Sequence, residues 1–216
     1  MESEVFSLIG PKRFDVPWKE IEAQGYIAPA DCVEVRVTLT DHERLTYATA
    51  EQEDKYRSCA TTATKKNVVT ALARNHAQDQ TLIIGQYIDQ IDEIAAELNV
   101  PIVKGETPIK EREELFAKFR TGELKCLVVS KVANFSIDLP EASIAIQVSG
   151  TFGSRQEEAQ RLGRILRPKS DGRTARFYSV VARDTIDQDF AQNRQRFLAE
   201  QGYSYRIIDA DEALRA

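Results

Sequence analysis

Residues 81–105 read "TLIIGQYIDQIDEIAAELNVPIVKG". "TLIIG" is a short, uninterrupted apolar run closed by glycine, the pattern of a buried strand. "YIDQIDEIAAEL" then sets Ile88, Ile91, Ile94, Ala95 and Leu98 at helical spacing. "PIVKG" is a second short strand, so strand, helix and strand follow one another directly. Strands that are apolar throughout and separated by helices predict a mostly parallel sheet covered by helices on both faces, an α/β fold. In such sheets ligands meet the loops at the carboxyl ends of the strands.

The same texture continues downstream. "TPIKEREELFAKFRTGE" (107–123) predicts a helix with Thr107 as cap, Pro108 in its first turn and Gly122 near its end. "CLVVS" (126–130) and "ASIAIQVSG" (142–150) are buried strands, "SRQEEAQRLGRIL" (154–166) a helix, and "TARFYSVVA" (174–182) a further strand. The helix "TIDQDFAQNRQRFLAEQG" (185–202) and a short strand in "YSYRIID" (203–209) complete the order. The turns after "TLIIG", "PIVKG", "CLVVS" and "IQVSG" are therefore expected on one rim.

Upstream, "CVEVRVTL" (32–39) alternates as a strand, and "TDHE" opens a helix with Thr40 or Asp41 as cap. Residues 42–78 read as two helices broken near "CATTATKK" (59–66), where threonines weaken helix propensity. Residues 1–30 hold Pro11, Pro17 and Pro29 without a sustained period. They read as a linking or docking segment with one short helix after Pro17, and residues 31–216 as the domain. Residues 40–78 are either part of its core or a thumb-like insertion.

No run approaches the roughly 20 apolar residues of a membrane span. "MESEVFSLIG" is acidic where a secretion signal needs basic residues. Cys32, Cys59 and Cys126 are far apart and form no CxxC pair, which fits reduced thiols in a cytoplasmic chain. His42 and His76 lack partners at ligand spacing, so no metal site is expected. The acidic run "EQED" (51–54) reads as a solvated helix face.

A net charge of −5 argues against blanket nucleic-acid binding, but the average hides a patch. Residues 155–176 carry seven basic and three acidic side chains, a local +4, which leaves −9 for the rest. At its centre is "QRLGRILRP" (160–168), with Arg161, Arg164 and Arg167 three apart on a helical pattern. Gly163 costs about 1 kcal/mol relative to alanine inside a helix, which suggests close approach of another backbone or a ligand. One explanation is a basic last turn that complements the helix dipole before Pro168. The other is a planar grip on phosphate oxygens, for which arginine is suited.

The run "GSRQEEAQRLGRILRP" (153–168) resembles motif VI of superfamily-two helicases, and the chain from "FSLIGPKRFDVPW" onward is similar to the C-terminal RecA-like motor domain of XPB-type DNA-repair helicases. The resemblance implies that Arg164 and Arg167 act as arginine fingers on ATP, with Gln160 and Gly163 on the nucleotide side. "VVSKVANFSIDLPEA" (128–142) resembles motif V, which implies DNA-backbone contact by Ser130 and Lys131 and a nucleotide-side role for Asp138. Many relatives have Gly-Asp where this chain has Ala133-Asn134, so a charge-dependent role at Asn134 is not carried over. "IIGQYIDQI" and "VKGETPIKERE" resemble motifs IV and IVa, which implies phosphate contact at Gly105 and Thr107, with Gln86 and Tyr87 as weaker candidates. A capped helix after an ordinary strand explains Gly105 and Thr107 equally well when each is taken alone.

No GxxxxGK[ST] loop and no acidic magnesium motif occurs in the chain. The expectation is therefore the second of two motor domains, joined through residues 1–30 to a first that supplies most of the ATP and Mg2+ binding, with Met1 a truncation or natural start. Alone it should have no appreciable ATPase activity. The resemblance implies a 3′ to 5′ DNA helicase or translocase of the nucleotide excision repair type, working on nucleoid DNA in a prokaryotic cytoplasm. Two other readings stay open: a non-catalytic docking module for a partner such as a repair nuclease, and a duplex translocase that does not separate strands.

Overall fold

The computed structural model describes residues 30–130, 142–150, 174–200 and 203–215. The expected helices after Pro17 and over 154–166 lie outside these residues. In chain order the elements are β1 (Ala30–Val37), α1 (Asp41–Thr49), α2 (Lys55–Ala60), α3 (Ala63–Asn75), β2 (Thr81–Gly85) and α4 (Ile88–Leu98). They continue with β3 (Ile102–Val103), α5 (Ile109–Arg120), β4 (Cys126–Ser130), β5 (Ile144–Gln147), β6 (Ala175–Ala182), α6 (Ile186–Glu200), β7 (Tyr205–Asp209) and α7 (Ala210–Ala213).

The seven strands form one sheet in the order β3-β4-β2-β5-β6-β1-β7, and each neighbouring pair is parallel. This is the doubly covered sheet that the apolar runs predict. Alternate strand residues point to opposite faces, and two apolar clusters result. Val33, Val35, Ile83, Val128, Ile146 and Tyr178 meet α2, α3 and α4 on one face. Cys32, Leu82, Ile84, Leu127, Val129 and Phe177 meet Phe116 and Phe119 of α5 and Phe197 and Leu198 of α6 on the other. Burying each large side chain contributes roughly 1.5–3 kcal/mol, so this double layer dominates stability.

Helix α4 lies close to β2 because Gly85 has no side chain. A Cβ there would stand 2.3 Å from Ile91 Cγ2 and 3.1 Å from Val148 Cγ1. Asn99, in the left-handed region at φ 52°, ends the helix with its N–H on Ala95 and Ala96 carbonyls. On the outer side, Arg57 pairs with Asp89, Lys66 with Glu93 and Arg74 with Glu97, which laces α2 and α3 to α4. Such exposed pairs contribute at most about 1 kcal/mol each.

Three details depart from the sequence-based expectations. Residues 42–78 hold three helices, not two: the break at Thr61–Thr62 is present, and a second lies between α1 and α2. "EQED" is an exposed turn in that second break, not a helix face. Helix α5 begins at Ile109 with Pro108 as N-cap, because the Thr107 hydroxyl is taken by the Lys104 N–H at 2.8 Å. On the polar face of β1, Glu34 is 1% exposed, and its carboxylate accepts from Arg36 Nε and the Tyr205 hydroxyl, both at 2.8 Å.

Helix α1 buries no residue fully: Tyr47 packs partly buried against the core, and polar contacts make the rest of its attachment. Thr40 caps it in a capping box with Glu43. The Glu43 carboxylate also accepts from the Thr64 hydroxyl (2.6 Å) and amide (2.9 Å), tying α1 to the first turn of α3. Burial pushes the Glu43 carboxyl up, but the hydrogen bonds from Thr64 and Thr40 outweigh it and hold the group below its ordinary value of 4.5. A pKa lower in the folded than in the unfolded chain gives stability above the unfolded value, near 4.3, that is lost as pH falls through the folded one. Glu43→Gln is expected to cost about 1 kcal/mol at pH 7, with the gap to the parent closing below about pH 4. Urea unfolding at both pH values tests this, and a gap independent of pH refutes it.

Candidate functional site

The register brings the carboxyl ends of four strands abreast. Gly85 of β2 pairs with Ser130 of β4, Ile84 with Gln147 of β5, and Val103 of β3 with Val129 of β4. Strands β4 and β5 flank β2, so residues 131 onward and 151 onward continue from strand ends on either side of Gly85. The strand ends that lead into the four expected turns thus share one rim, while the turns after Ser130 and Gly150 lie outside the described residues. Ser130, 2% exposed, sits on that rim as the last residue of β4. Gly105 and the half-buried Thr107 lie in the turn after β3. Lys131, Asp138, Gln160, Gly163, Arg164 and Arg167 lie outside the described residues.

The turn at 104–107 offers backbone more than charge. Thr107 N–H donates to the Lys104 carbonyl at 3.1 Å, while Lys104 N–H donates to the Thr107 hydroxyl, so the turn is closed from both sides. Lys104 Nζ is 2.9 Å from Asp92, an interaction that raises its pKa above the ordinary value. Arg112 spends one guanidinium nitrogen on the Gly105 and Thr107 carbonyls, at 3.3 and 3.2 Å. What remains toward solvent is the exposed Gly105 backbone together with the exposed carboxylate of Glu106.

The strand end at 147–150 is held more tightly. Ser149 Oγ accepts from the Gln86 amide (2.9 Å) and donates to Gln90 Oε1 (2.8 Å), and Gln90 Nε2 donates to the Ala60 carbonyl at the end of α2 (2.6 Å). Gly150 N–H donates to the Tyr56 hydroxyl at 2.7 Å. Its carbonyl accepts from Arg194 and from Gln147 Nε2, both at 3.3 Å, and Arg194 also donates to Ser179 Oγ at 3.0 Å. Tyr56 packs edge-on against Phe190 with ring centres 5.1 Å apart. Burial, and after it the Asp187 charge, pushes the Tyr56 phenol well above its usual range, so it stays neutral.

Sequence reasoning missed Tyr56, Gln90, Ser149 and Arg194. The signal was present in two places: Gln147 and Ser149 are polar residues in an apolar strand, and Arg194 interrupts the apolar face formed by Ala191, Phe197 and Leu198. Below this network Lys65 of α3 and Asp187 of α6 form a buried ion pair at 2.7 Å, and Asp187 also accepts from the Ala182 amide at 3.0 Å.

His76 ends α3 between Asp79 and the Tyr178 hydroxyl, each 3.1 Å away. Burial, with Asp31 adding at Cys32, pushes the Cys32 and Cys126 thiols up to about 12, so they remain protonated. An open cleft of about 420 Å3 is lined by Tyr47, Lys55, Asp184 and Asp189 among others, and of the described expected site residues Gly105, Thr107 and Ser130 do not line it. Among the described residues no cluster of three or more His, Cys, Asp or Glu could hold a metal, and no helix is long and apolar enough to cross a membrane.

Comparison with known proteins connects the chain to a family. Residues 21–216 match the family model described as ERCC3/RAD25/XPB C-terminal helicase. The chain is 71% identical over 211 residues to a DNA 3′-5′ helicase XPB of Kineococcus radiotolerans, covering 98% of this chain and 38% of that protein. It is 67% identical over 213 residues to the protein of the same name in Mycobacterium tuberculosis, covering 99% and 39%. A Drosophila melanogaster protein named as a general transcription and DNA repair factor IIH helicase/translocase subunit XPB is 36% identical over 208 residues, covering 93% and 26%. The chain thus spans about two fifths of the length of its bacterial relatives. In fold it is similar to the C-terminal domain of the DEAD-box protein Dbp5, with TM-score 0.62 at 18% identity over 85% of this chain and 92% of that one. A Sulfolobus solfataricus SWI2/SNF2 ATPase C-terminal domain gives TM-score 0.56 at 17% identity, covering 79% and 86%.

Proposed function

The chain belongs to the ERCC3/RAD25/XPB C-terminal helicase family, and from that premise we propose that it is the second RecA-like domain of an ATP-dependent 3′-5′ DNA helicase or translocase of the DNA-repair type. The observation that carries this is the near-complete match, at 71% and 67% identity, to proteins named DNA 3′-5′ helicase XPB. In this reading residues 31–216 are the motor domain, residues 1–30 lead to it from a first motor domain, and ATP lies between the two.

The rim suits half of a nucleotide site. The two segments with cationic and carboxylate side chains of the right chemistry, 131–141 and 151–173, continue from strand ends on either side of β2. ATP, when bound, would supply the phosphoryl group, with Mg2+ held mainly by the first domain. From this chain Arg164 and Arg167 would stabilise charge on the γ-phosphoryl oxygens in the transition state, with Gln160, Gly163 and Asp138 lining the nucleotide side. Gly105, Thr107, Ser130 and Lys131 would hold the DNA sugar-phosphate backbone without reading sequence, which leaves the domain free to be acidic overall. Closure and release of the cleft would move the protein along DNA.

The test compares the 216-residue chain with the full-length protein. The chain alone is expected to hydrolyse no ATP, whereas the full-length protein does so with stimulation by DNA. Turnover by the chain alone, abolished by Arg164→Ala, would sink the division of labour. No stimulation of the full-length protein by single-stranded DNA, duplex DNA or RNA would favour a docking module, with a repair nuclease as the partner to try. The Drosophila relative is named both helicase and translocase, so a strand-displacement assay separates unwinding from movement along duplex.

A further inference from the structure

Lys104 follows the last residue of β3, and its main chain and its side chain are held in different ways. Its N–H donates to the Thr107 hydroxyl at 2.8 Å and its carbonyl accepts from the Thr107 N–H at 3.1 Å, so the backbone is fixed within the turn. The ammonium instead reaches across to α4, where Nζ lies 2.9 Å from Asp92 Oδ1 and 3.0 Å from Oδ2. Glu106 stands 3.9 Å away on the turn itself. The Lys104 side chain is 22% exposed, Asp92 44% and Glu106 83%, so water reaches all three. The neighbouring cation, the half-buried Arg112, spends Nη2 on the Gly105 and Thr107 carbonyls. Lys104 is therefore the cation at this turn whose head can swing, on a flexible four-carbon stem. With the ammonium on Asp92, two carboxylates outnumber one cation, and a phosphate approaching Gly105 meets net repulsion.

We propose that Lys104 is a DNA-phosphate contact for which Asp92 is the built-in competitor: without DNA the ammonium lies on the Asp92 carboxylate, and with DNA it swings to a phosphate at the turn. The proposal rests on the reading of Gly105 and Thr107 as facing DNA. Because one ammonium serves two anions, the strand gains one ion pair at the loss of another. An exposed pair of this kind is weak, so the exchange runs readily in both directions. Asp92 thus sets how firmly the turn holds the strand. A motor that steps along DNA has to release each phosphate it grips, and a contact with a waiting competitor is suited to that.

The experiment measures binding of the full-length protein to a fluorescein-labelled oligothymidylate by anisotropy across a salt series, without nucleotide. Lys104→Gln is expected to weaken binding about threefold and to lower the slope of log Kd against log salt by about 0.7, the share of one phosphate contact on a single strand. Asp92→Asn is expected to tighten binding about three- to fivefold at low salt, with the gain fading as salt screens the pair. Adding Asp92→Asn to Lys104→Gln is expected to change nothing further, because Asp92 acts through Lys104. A mere loss of negative charge near DNA would still tighten binding in that background. Melting midpoints within about 3 °C of the parent serve as the folding control for all three variants. Asp92→Asn with unchanged affinity, or an equal gain in the double variant, overturns the proposal. If Lys104→Gln changes neither affinity nor slope, the reading of the turn as facing DNA fails, and the proposal with it.

Discussion

Arg164→Ala in the full-length protein is expected to lower kcat for DNA-stimulated ATP hydrolysis by about 10^3 to 10^5-fold, with the protein still folded and still binding DNA. The magnitude is that of removing an arginine finger, because charge develops on the γ-phosphoryl oxygens only as the bond breaks. The KM for ATP should change far less than kcat, since the interaction forms mainly in the transition state. Arg164→Lys should not restore turnover: a point-like ammonium lacks the planar fork that grips two oxygens. Arg167→Ala should fall in the same direction. Steady-state ATPase assays with circular dichroism as the folding control check this. Turnover above a tenth of the parent value would return "QRLGRILRP" to its plainer explanation, a basic helix end before Pro168.

Lys65→Met is expected to destabilise the protein by about 3–5 kcal/mol, the largest effect on stability foreseen for a single side chain. Lys65 is 0% exposed and Asp187 5%. Removing the ammonium leaves the Asp187 carboxylate buried with the Ala182 amide among its few remaining donors. For a chain of this size each kcal/mol moves the melting midpoint by about 2–4 °C, so a drop of roughly 10 °C is expected. Replacing both partners, Lys65→Met with Asp187→Leu, should recover much of the loss, because no uncompensated charge is then buried. Thermal unfolding of the parent, the single and the double variant tests this. A single variant within 1 kcal/mol of the parent, or a double variant worse than the single one, would refute it.

The strand and helix order was legible because its signals are local. "TLIIG" and "CLVVS" each hold an unbroken apolar run of three or more residues, and both became interior strands buried almost throughout. Thr40 was one of two candidate caps and is the one used, since Glu43 completes its capping box three residues on. The helix count in 42–78 failed where the competing signal was weak: "EQED" has helical composition, yet Ala50 lies in extended backbone and its N–H closes on the Tyr47 carbonyl. Thr107 failed as a cap because a closer donor, the Lys104 amide, reached its hydroxyl first.

The candidate site divides along the same line. Its motif residues could be picked out one by one, since Gln160, Gly163, Arg164 and Arg167 form a pattern within eight positions. By itself the sequence determined the α/β class, the single rim and the family resemblance, because period, apolar runs and motif spacing are properties of neighbours in the chain. Only the tertiary structure decided that Glu34 is buried, that Lys65 meets Asp187 across 122 positions, and that Tyr56 and Arg194 close on Gly150. Those pairings join residues distant in sequence, and nothing in a local pattern encodes which buried donor will find which acceptor once the two faces of the sheet are covered.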